Sequence, residues 1–138
     1  MRYYTSSLAG VTAEHLAGFF QGWPAPPSPQ RHLEILHGSS EVVLAREENG
    51  TVAGFITALT DGLLAAYIPL LEVRPGQRGQ GVGSELVRRM LARLAGCYMI
   101  DLVCDRDLLP FYARLGLRPY SAAIIRDHAA LRALSGRG

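Results

Sequence analysis

The sequence is short of the features that mark most specialised classes. It has only two cysteines, Cys97 and Cys104. Neither belongs to a CxxC or Cys/His pair at metal-ligand spacing, so no zinc site is expected and both read as free, buried thiols. The formal net charge of +2 is too small to argue for nucleic acid. No apolar run reaches the ~20 residues that cross a bilayer, and no basic-then-apolar leader opens the chain. A cytoplasmic location with no membrane partner is the resulting expectation. No internal repeat or composition break divides the 138 residues, which predicts one domain over 1–138. Hydrophobic residues make up 49% and charged residues 19%, enough to build a core without disulfide or metal.

Periodicity and punctuation predict the elements. A short strand is expected around Arg2 to Ser7. A helix should follow from Thr12, with Leu16, Phe19 and Phe20 as its apolar stripe. The four prolines between Gly22 and Pro29 require a loop. A second helix over Pro29 to His37 should bury Leu33, Ile35 and Leu36, leave His32 and His37 outside, and stop at Gly38. Three strands in series come next: Glu41 to Glu47, Thr51 to Leu59 across an Asn49-Gly50 turn, and Leu63 to Val73 after Asp61-Gly62. Pro69 cannot donate to a ladder, so a bulge or splayed edge is expected between Ile68 and Val73. A helix from Gly81 to Leu94 then leads into Tyr98 to Cys104, which reads as a fully buried strand parallel to its predecessor. A helix from Asp107 to Leu115, a last strand from Tyr120 to Ile125 and a short helix in Asp127 to Leu134 complete the order. The fold class is mixed α/β, antiparallel first and parallel at the crossover.

The segment between the third strand and the long helix carries the chemistry. Arg78-Gly79-Gln80-Gly81-Val82-Gly83-Ser84 leads directly into a helix N-terminus. There unpaired backbone N–H groups and a partial positive charge attract anions. Glycines keep side chains away from those amides, which predicts a pyrophosphate cradle. Arg74, Arg78, Arg88, Arg89 and Arg93 cluster in and after it; they suit a polyanionic small ligand or form an ordinary charged helix face. No lysine lies near the glycines, which excludes a P-loop. The Gly79-x-Gly81-x-Gly83 spacing after three antiparallel strands does not fit a Rossmann site.

Arg78-Gly79-Gln80-Gly81-Val82-Gly83, following Leu71-Glu72-Val73-Arg74-Pro75, resembles the R/Q-x-x-G-x-G/A signature of the GNAT acetyltransferase superfamily. Further along, Asp105-x-x-Leu108-x-x-Phe111-Tyr112-Ala113-Arg114-Leu115-Gly116-Leu117 is similar to that superfamily's N-x-x-A-x-x-F-Y-x-x-x-G-F motif. Asp105 stands where the family has Asn, and Leu108 where it has Ala. A carboxylate cannot donate as an amide does, so the family's cofactor contact at this position is not assured in Asp105, which instead meets the amine substrate or caps the following helix.

The resemblance implies acetyl-CoA as co-substrate, with no metal, and direct transfer of its acetyl group to a primary amine in a ternary complex. It implies that the amides of Gly79, Gln80, Gly81, Val82, Gly83 and Ser84, with Arg78, hold the pyrophosphate. Leu71 to Val73 would pair with the pantetheine arm, and the Val73 N–H would polarise the acetyl carbonyl. Tyr112 is the implied general acid, with Asp105 and Phe111 near the cofactor. The glutamate that serves as base on the third strand of some family members falls at Tyr67, so Glu72, Asp101, Asp105, Asp61 or a water are the alternatives. Asp101 stands out as a carboxylate on an apolar strand. Phe20, Trp23 and Tyr67 are expected to line the acceptor pocket. Two rivals stand beside this scheme: a covalent route through Cys104, and a non-catalytic acyl-CoA-binding sensor or interaction domain. The acceptor is a small-molecule or peptide amine, and a homodimer is possible in this superfamily.

Overall fold

In the computed structural model, which describes residues 1–136, five strands form one sheet in the order β1-β2-β3-β4-β5. They are β1 (Tyr3–Thr5), β2 (Glu41–Arg46), β3 (Val52–Thr60), β4 (Ala65–Val73) and β5 (Met99–Leu102). The first three pairings are antiparallel; β4 and β5 are parallel. The helices are α1 (Pro29–Gly38), α2 (Val82–Arg93), α3 (Leu109–Ala113) and α4 (His128–Ser135).

Each face of the sheet holds its own apolar cluster, because side chains alternate along strands. On one face α2 places Val82, Leu86, Val87 and Met90 against Val43, Ile56, Ala58, Ala66 and Ile68. Full burial of a side chain such as Leu86 or Met90 contributes roughly 1.5–3 kcal/mol. The close approach depends on Gly54: a Cβ there would sit 3.0 Å from the Glu72 carbonyl oxygen and 3.1 Å from Leu86 Cδ1. On the other face α1 and the segment before it bury Leu16, Phe19, Phe20 and Leu36 on Val42, Leu44, Val52 and Phe55. Helix α1 starts where predicted, because Ser28 Oγ accepts the Arg31 N–H at 3.1 Å and Pro29 occupies the first turn.

Five expectations need correction. The helix from Thr12 is a single 3₁₀ turn, Ala13–Leu16; Phe20 adopts a left-handed φ of 64°, which breaks helical continuation while keeping both phenylalanines in the core. His32 is not an exposed helix residue but completely buried, enclosed edge-on by Phe19 and Phe20, with Phe55 at 4.3 Å. The strand after α2 spans only Met99–Leu102, and its alternate residues Met99 and Asp101 are exposed. Tyr120 to Ile125 forms no regular element and pairs with no strand among the described residues, which is why β5 is an edge. The helix expected from Asp107 is delayed by a 3₁₀ turn, Arg106–Leu108, because Pro110 lies in the first turn of α3.

The irregularity expected near Pro69 is present. Thr57 pairs with Leu70 and Leu59 with Tyr67, so Ile68 and Pro69 together oppose Ala58. The β4–β5 ladder ends at Ile68↔Leu102, and from Pro69 onward β4 has no neighbouring strand on that side among the described residues.

Candidate active site

The register fixes what this vacated edge offers. The Arg74 N–H donates to the Ala53 carbonyl at 2.8 Å, beside the Gly54↔Val73 pair. In an antiparallel ladder that makes Val73 a non-hydrogen-bonded partner of β3, and Leu71, two residues back, likewise. The N–H and C=O groups of both residues therefore point away from β3, toward the space β5 has left. Arg78 Nε donates to the Val73 carbonyl at 3.2 Å; the Val73 amide stays turned to the opening.

That opening is a cleft of about 560 Å³ lined by Leu71, Glu72, Arg78, Asp105, Tyr112 and Trp23, among others. The glycine-rich turn lies just past Val73. Gly79 and Gly81 have φ of 80° and 78°, conformations costly for any side-chain-bearing residue, and a Cβ on either would meet nothing within 4 Å. Gly81 caps α2, and the first helical bond runs from the Glu85 N–H to the Gly81 carbonyl. The amides of Val82, Gly83 and Ser84 are thus left without intrahelical partners, at the positive end of a twelve-residue helix. Gly83 abuts Phe111, whose ring would lie 3.5 Å from a Cβ there; Phe111 packs beneath the turn and lines neither cleft. Arg2 binds the Gln77 and Gln80 side chains and tethers the turn to β1.

Tyr112 is 8% exposed, on α3. Burial, with Cys104 beside it, pushes its phenol up to about 12, so it carries its proton at neutral pH. Its hydroxyl has no hydrogen-bond partner among the described residues. Cys104 has its own thiol pushed up, by burial first and then by Asp105 and Asp107, which disfavours a nucleophilic thiolate. Glu72 lies on the opposite side of β4 from Leu71 and Val73. Its Oε1 accepts the Phe20 N–H at 2.9 Å. Half-burial raises its carboxyl pKa, opposed by that hydrogen bond and by Arg78.

Other candidates lie elsewhere. Phe20 is 1% exposed and belongs to the core, so it reaches the site only through its N–H; the expectation that it lines a pocket is corrected. Trp23 lines the cleft. Asp101 is an exposed residue paired with Tyr67. Both line a second, larger groove of about 1560 Å³ along β5, not the cleft with Glu72, and no buried carboxylate needs explaining there. Asp105 lines both openings and starts the 3₁₀ turn without a side-chain cap bond. Asp61 Oδ1 accepts the N–H groups of Leu63, Leu64 and Ala65; these bonds lower its pKa and assign it to the turn. The arginine cluster is largely committed: Arg88 and Arg89 pair with Glu85, Arg93 with Glu41, and Arg74 bonds the Val52 and His15 carbonyls. Gln21, Ile124 and Arg126 complete the cleft wall; they come from a loop and an aperiodic arm, and nothing in their sequence flags them.

Known proteins share this fold. Residues 8–117 match the profile described as "Acetyltransferase (GNAT) family". An acetyltransferase-named structure from Deinococcus radiodurans R1 superimposes with a TM-score of 0.92 at 49% identity, covering 95% of this chain and 92% of the other. A GNAT family protein from Streptococcus pneumoniae TIGR4 shares the fold at 21% identity and a TM-score of 0.74, over 92% of this chain and 98% of that one. "Probable glucosamine 6-phosphate N-acetyltransferase 2" of Oryza sativa subsp. japonica is 30% identical over 91 residues, 57% of this chain; the chain spans 55%, about half, of that curated relative. The profile match, the sheet that opens beyond Ile68 and the glycine-bearing start of α2 agree, and the chain belongs to the acetyltransferase (GNAT) family.

Proposed function

We propose that this protein transfers the acetyl group of acetyl-CoA to a primary amine by direct attack in a ternary complex. The observation that carries the reading is the free edge of β4 beyond Ile68, where the Leu71 and Val73 peptide groups turn away from β3 beside a cleft lined by Leu71, Glu72, Arg78 and Tyr112, with the uncapped start of α2 next along the chain.

The residues present fit the cofactor. The unpaired amides of Val82, Gly83 and Ser84, with those of Gly79 to Gly81, would hold its diphosphate. The polar edge at Leu71 and Val73 suits the amide-bearing pantetheine as an added strand. When bound, acetyl-CoA supplies the activated thioester. The Val73 N–H would then donate to the carbonyl oxygen on which negative charge grows as the amine attacks. Glu72 is the base we assign. Burial favours its protonated form, which makes it a stronger proton acceptor than an exposed carboxylate. The Phe20 N–H holds one oxygen and leaves the other to take the ammonium proton, directly or through a water. Tyr112, protonated at neutral pH, would donate to the leaving thiolate. Trp23 and Gln21 flank Glu72 as acceptor-side walls, with the acceptor a small-molecule or peptide amine.

Acetyl-CoA titrated into the protein should release heat at one site, and thiol release should follow on adding an accepting amine from a panel. Tyr112→Phe should lower turnover by about 10²–10⁴-fold with coenzyme affinity nearly unchanged. No heat of binding would end the proposal; binding with no turnover on any amine would leave a coenzyme-binding domain in its place, and an unaltered rate in Tyr112→Phe would retire Tyr112 as the acid.

A further inference from the structure

Among the described residues Phe20 is the one non-glycine with a positive φ, at 64°, where a Cβ crowds the backbone. Its neighbours show the unstrained solution. Gly18 and Gly22 take φ of 95° and 85°, and neither has a Cβ to clash. A phenylalanine between them persists in that conformation only because its surroundings hold it there. The ring is fully buried and packs edge-on against His32 at 4.8 Å, Trp23 at 5.0 Å and Phe55 at 6.0 Å. The Phe20 carbonyl also accepts the Trp23 N–H at 3.3 Å. On the preceding residues, Arg74 lies over the Phe19 ring at 5.2 Å and donates to the His15 carbonyl.

With the ring fixed in this cage, φ decides where the amide points. A right-handed φ of about −63° would turn the N–H roughly a third of a circle away. At 64° it meets Glu72 Oε1 at 2.9 Å. No other hydrogen bond and no ion pair reaches that carboxylate among the described residues. We infer that Phe20 is a positioning residue for the transfer reaction: its caged ring holds the strained turn, and the turn fixes the Glu72 carboxylate in the cleft wall with Trp23 beside it. The inference rests on Glu72 as the base. It gives the left-handed phenylalanine a purpose, since strain is retained where it orients a working group, and a small misplacement of such a group is costly in rate.

Substitutions here keep the N–H and change what holds it. Phe20→Ala removes the cage contacts and keeps the φ penalty. Its kcat with an accepting amine should fall by about 10–10²-fold, with calorimetric acetyl-CoA affinity unchanged. Phe20→Gly loses the same contacts but accepts the left-handed φ, and should recover part of that loss. In a Glu72→Gln background, Phe20→Ala should change kcat by less than about twofold, because its effect passes through the carboxylate. A phenylalanine that merely fills the core would slow both backgrounds alike. Equal losses in the two backgrounds, or glycine no better than alanine, would overturn the inference. Glu72→Gln at the wild-type rate would overturn the base itself, and the inference with it. Should the alanine variant fail to fold, the unsubstituted protein still provides the test. The Phe20 amide resonance in proton–nitrogen correlation spectra should move as Glu72 titrates. That movement should vanish in Glu72→Gln, where the neighbouring His32 and Arg78 remain in place. An amide indifferent to the charge on Glu72 would refute the placement.

Discussion

His32 predicts how stability should depend on pH. Its ring is fully buried, its centroid lies 5.4 Å from Phe19, 4.8 Å from Phe20 and 4.3 Å from Phe55, and neither ring nitrogen has a hydrogen-bond partner among the described residues. Burial lowers its pKa from the ordinary 6.5 to about 4. The folded state thus resists a proton that the unfolded chain accepts. Stability is full above about pH 6.5 and falls as the pH drops toward 4, below which the penalty is constant. At about 1.36 kcal/mol per pK unit, the loss across that window is about 3 kcal/mol, a large share of the ~5–15 kcal/mol that holds a domain. Urea unfolding at pH 7.5, 6.0, 5.0 and 4.5 would read it. His32→Leu removes the titrating group and two unpaired polar atoms, so it should flatten the dependence between pH 6.5 and 4.5 and cost little at pH 7.5. Subtracting the two curves cancels the carboxylates, which titrate in both. Parallel pH slopes for wild type and variant would refute the reasoning, because they would mean that His32 is reached by water or partnered in the folded state.

Three further outcomes follow from single contacts. Gly81→Asp should weaken acetyl-CoA binding by more than tenfold in calorimetry, because it sets a carboxylate against the diphosphate; the left-handed φ of 78° should cost about 1–2 kcal/mol of stability, but the fold should survive, since a Cβ there meets nothing within 4 Å and an acid suits a helix start. Glu72→Gln should lower kcat/KM by about 10²–10⁴-fold and erase the acid limb of its pH profile, a limb that in the wild type falls as pH drops through a carboxyl pKa raised by burial; a variant keeping that limb would transfer the role elsewhere. Gly54→Ala should destabilise by about 1–3 kcal/mol in denaturant unfolding, since the added Cβ lies 3.0 Å from a backbone oxygen and 3.1 Å from Leu86.

The sequence made the central frame legible because its signals there are local. Asn49-Gly50 marks a hairpin, Ser28-Pro29 a helix start, and Leu86, Val87, Met90 and Leu94 one buried stripe. The glycine-rich turn could be placed because positive φ at Gly79 and Gly81 is a property of single residues. Long-range decisions were illegible. The aromatic spacing of Leu16, Phe19 and Phe20 fits a helix and a folded loop equally well, and only the Glu72 carboxylate on the Phe20 N–H shows which formed. His32 looked like a surface residue because nothing local announces the phenylalanine cage that encloses it. The apolar run at Tyr98 to Cys104 looked buried on both faces; it would be so only with a further strand beside it, and Tyr120–Ile125 is not in that place.

The geometry of the candidate site comes down to the parity of one strand. On β4 before the bulge, the even residues Ala66 and Ile68 face α2; after it, the odd residues Leu71 and Val73 do. Leu70 packs with the opposite cluster, and Glu72 reaches Phe20 on that same side. A strand alternates strictly, so only the extra residue opposite Ala58 allows the switch. Without it, Glu72 would point its carboxylate at Val82 and Leu86, and the peptide groups of Leu70 and Glu72 rather than Leu71 and Val73 would face the vacated edge. Pro69 suits the bulge because it has no N–H to leave unpaired. The same two residues mark where β5 departs, its last pairing being Ile68 with Leu102. One bulge thus opens the edge of β4, turns the Val73 amide away from β3 toward the vacated side and sets Glu72 in the cleft wall that Trp23 and Gln21 share.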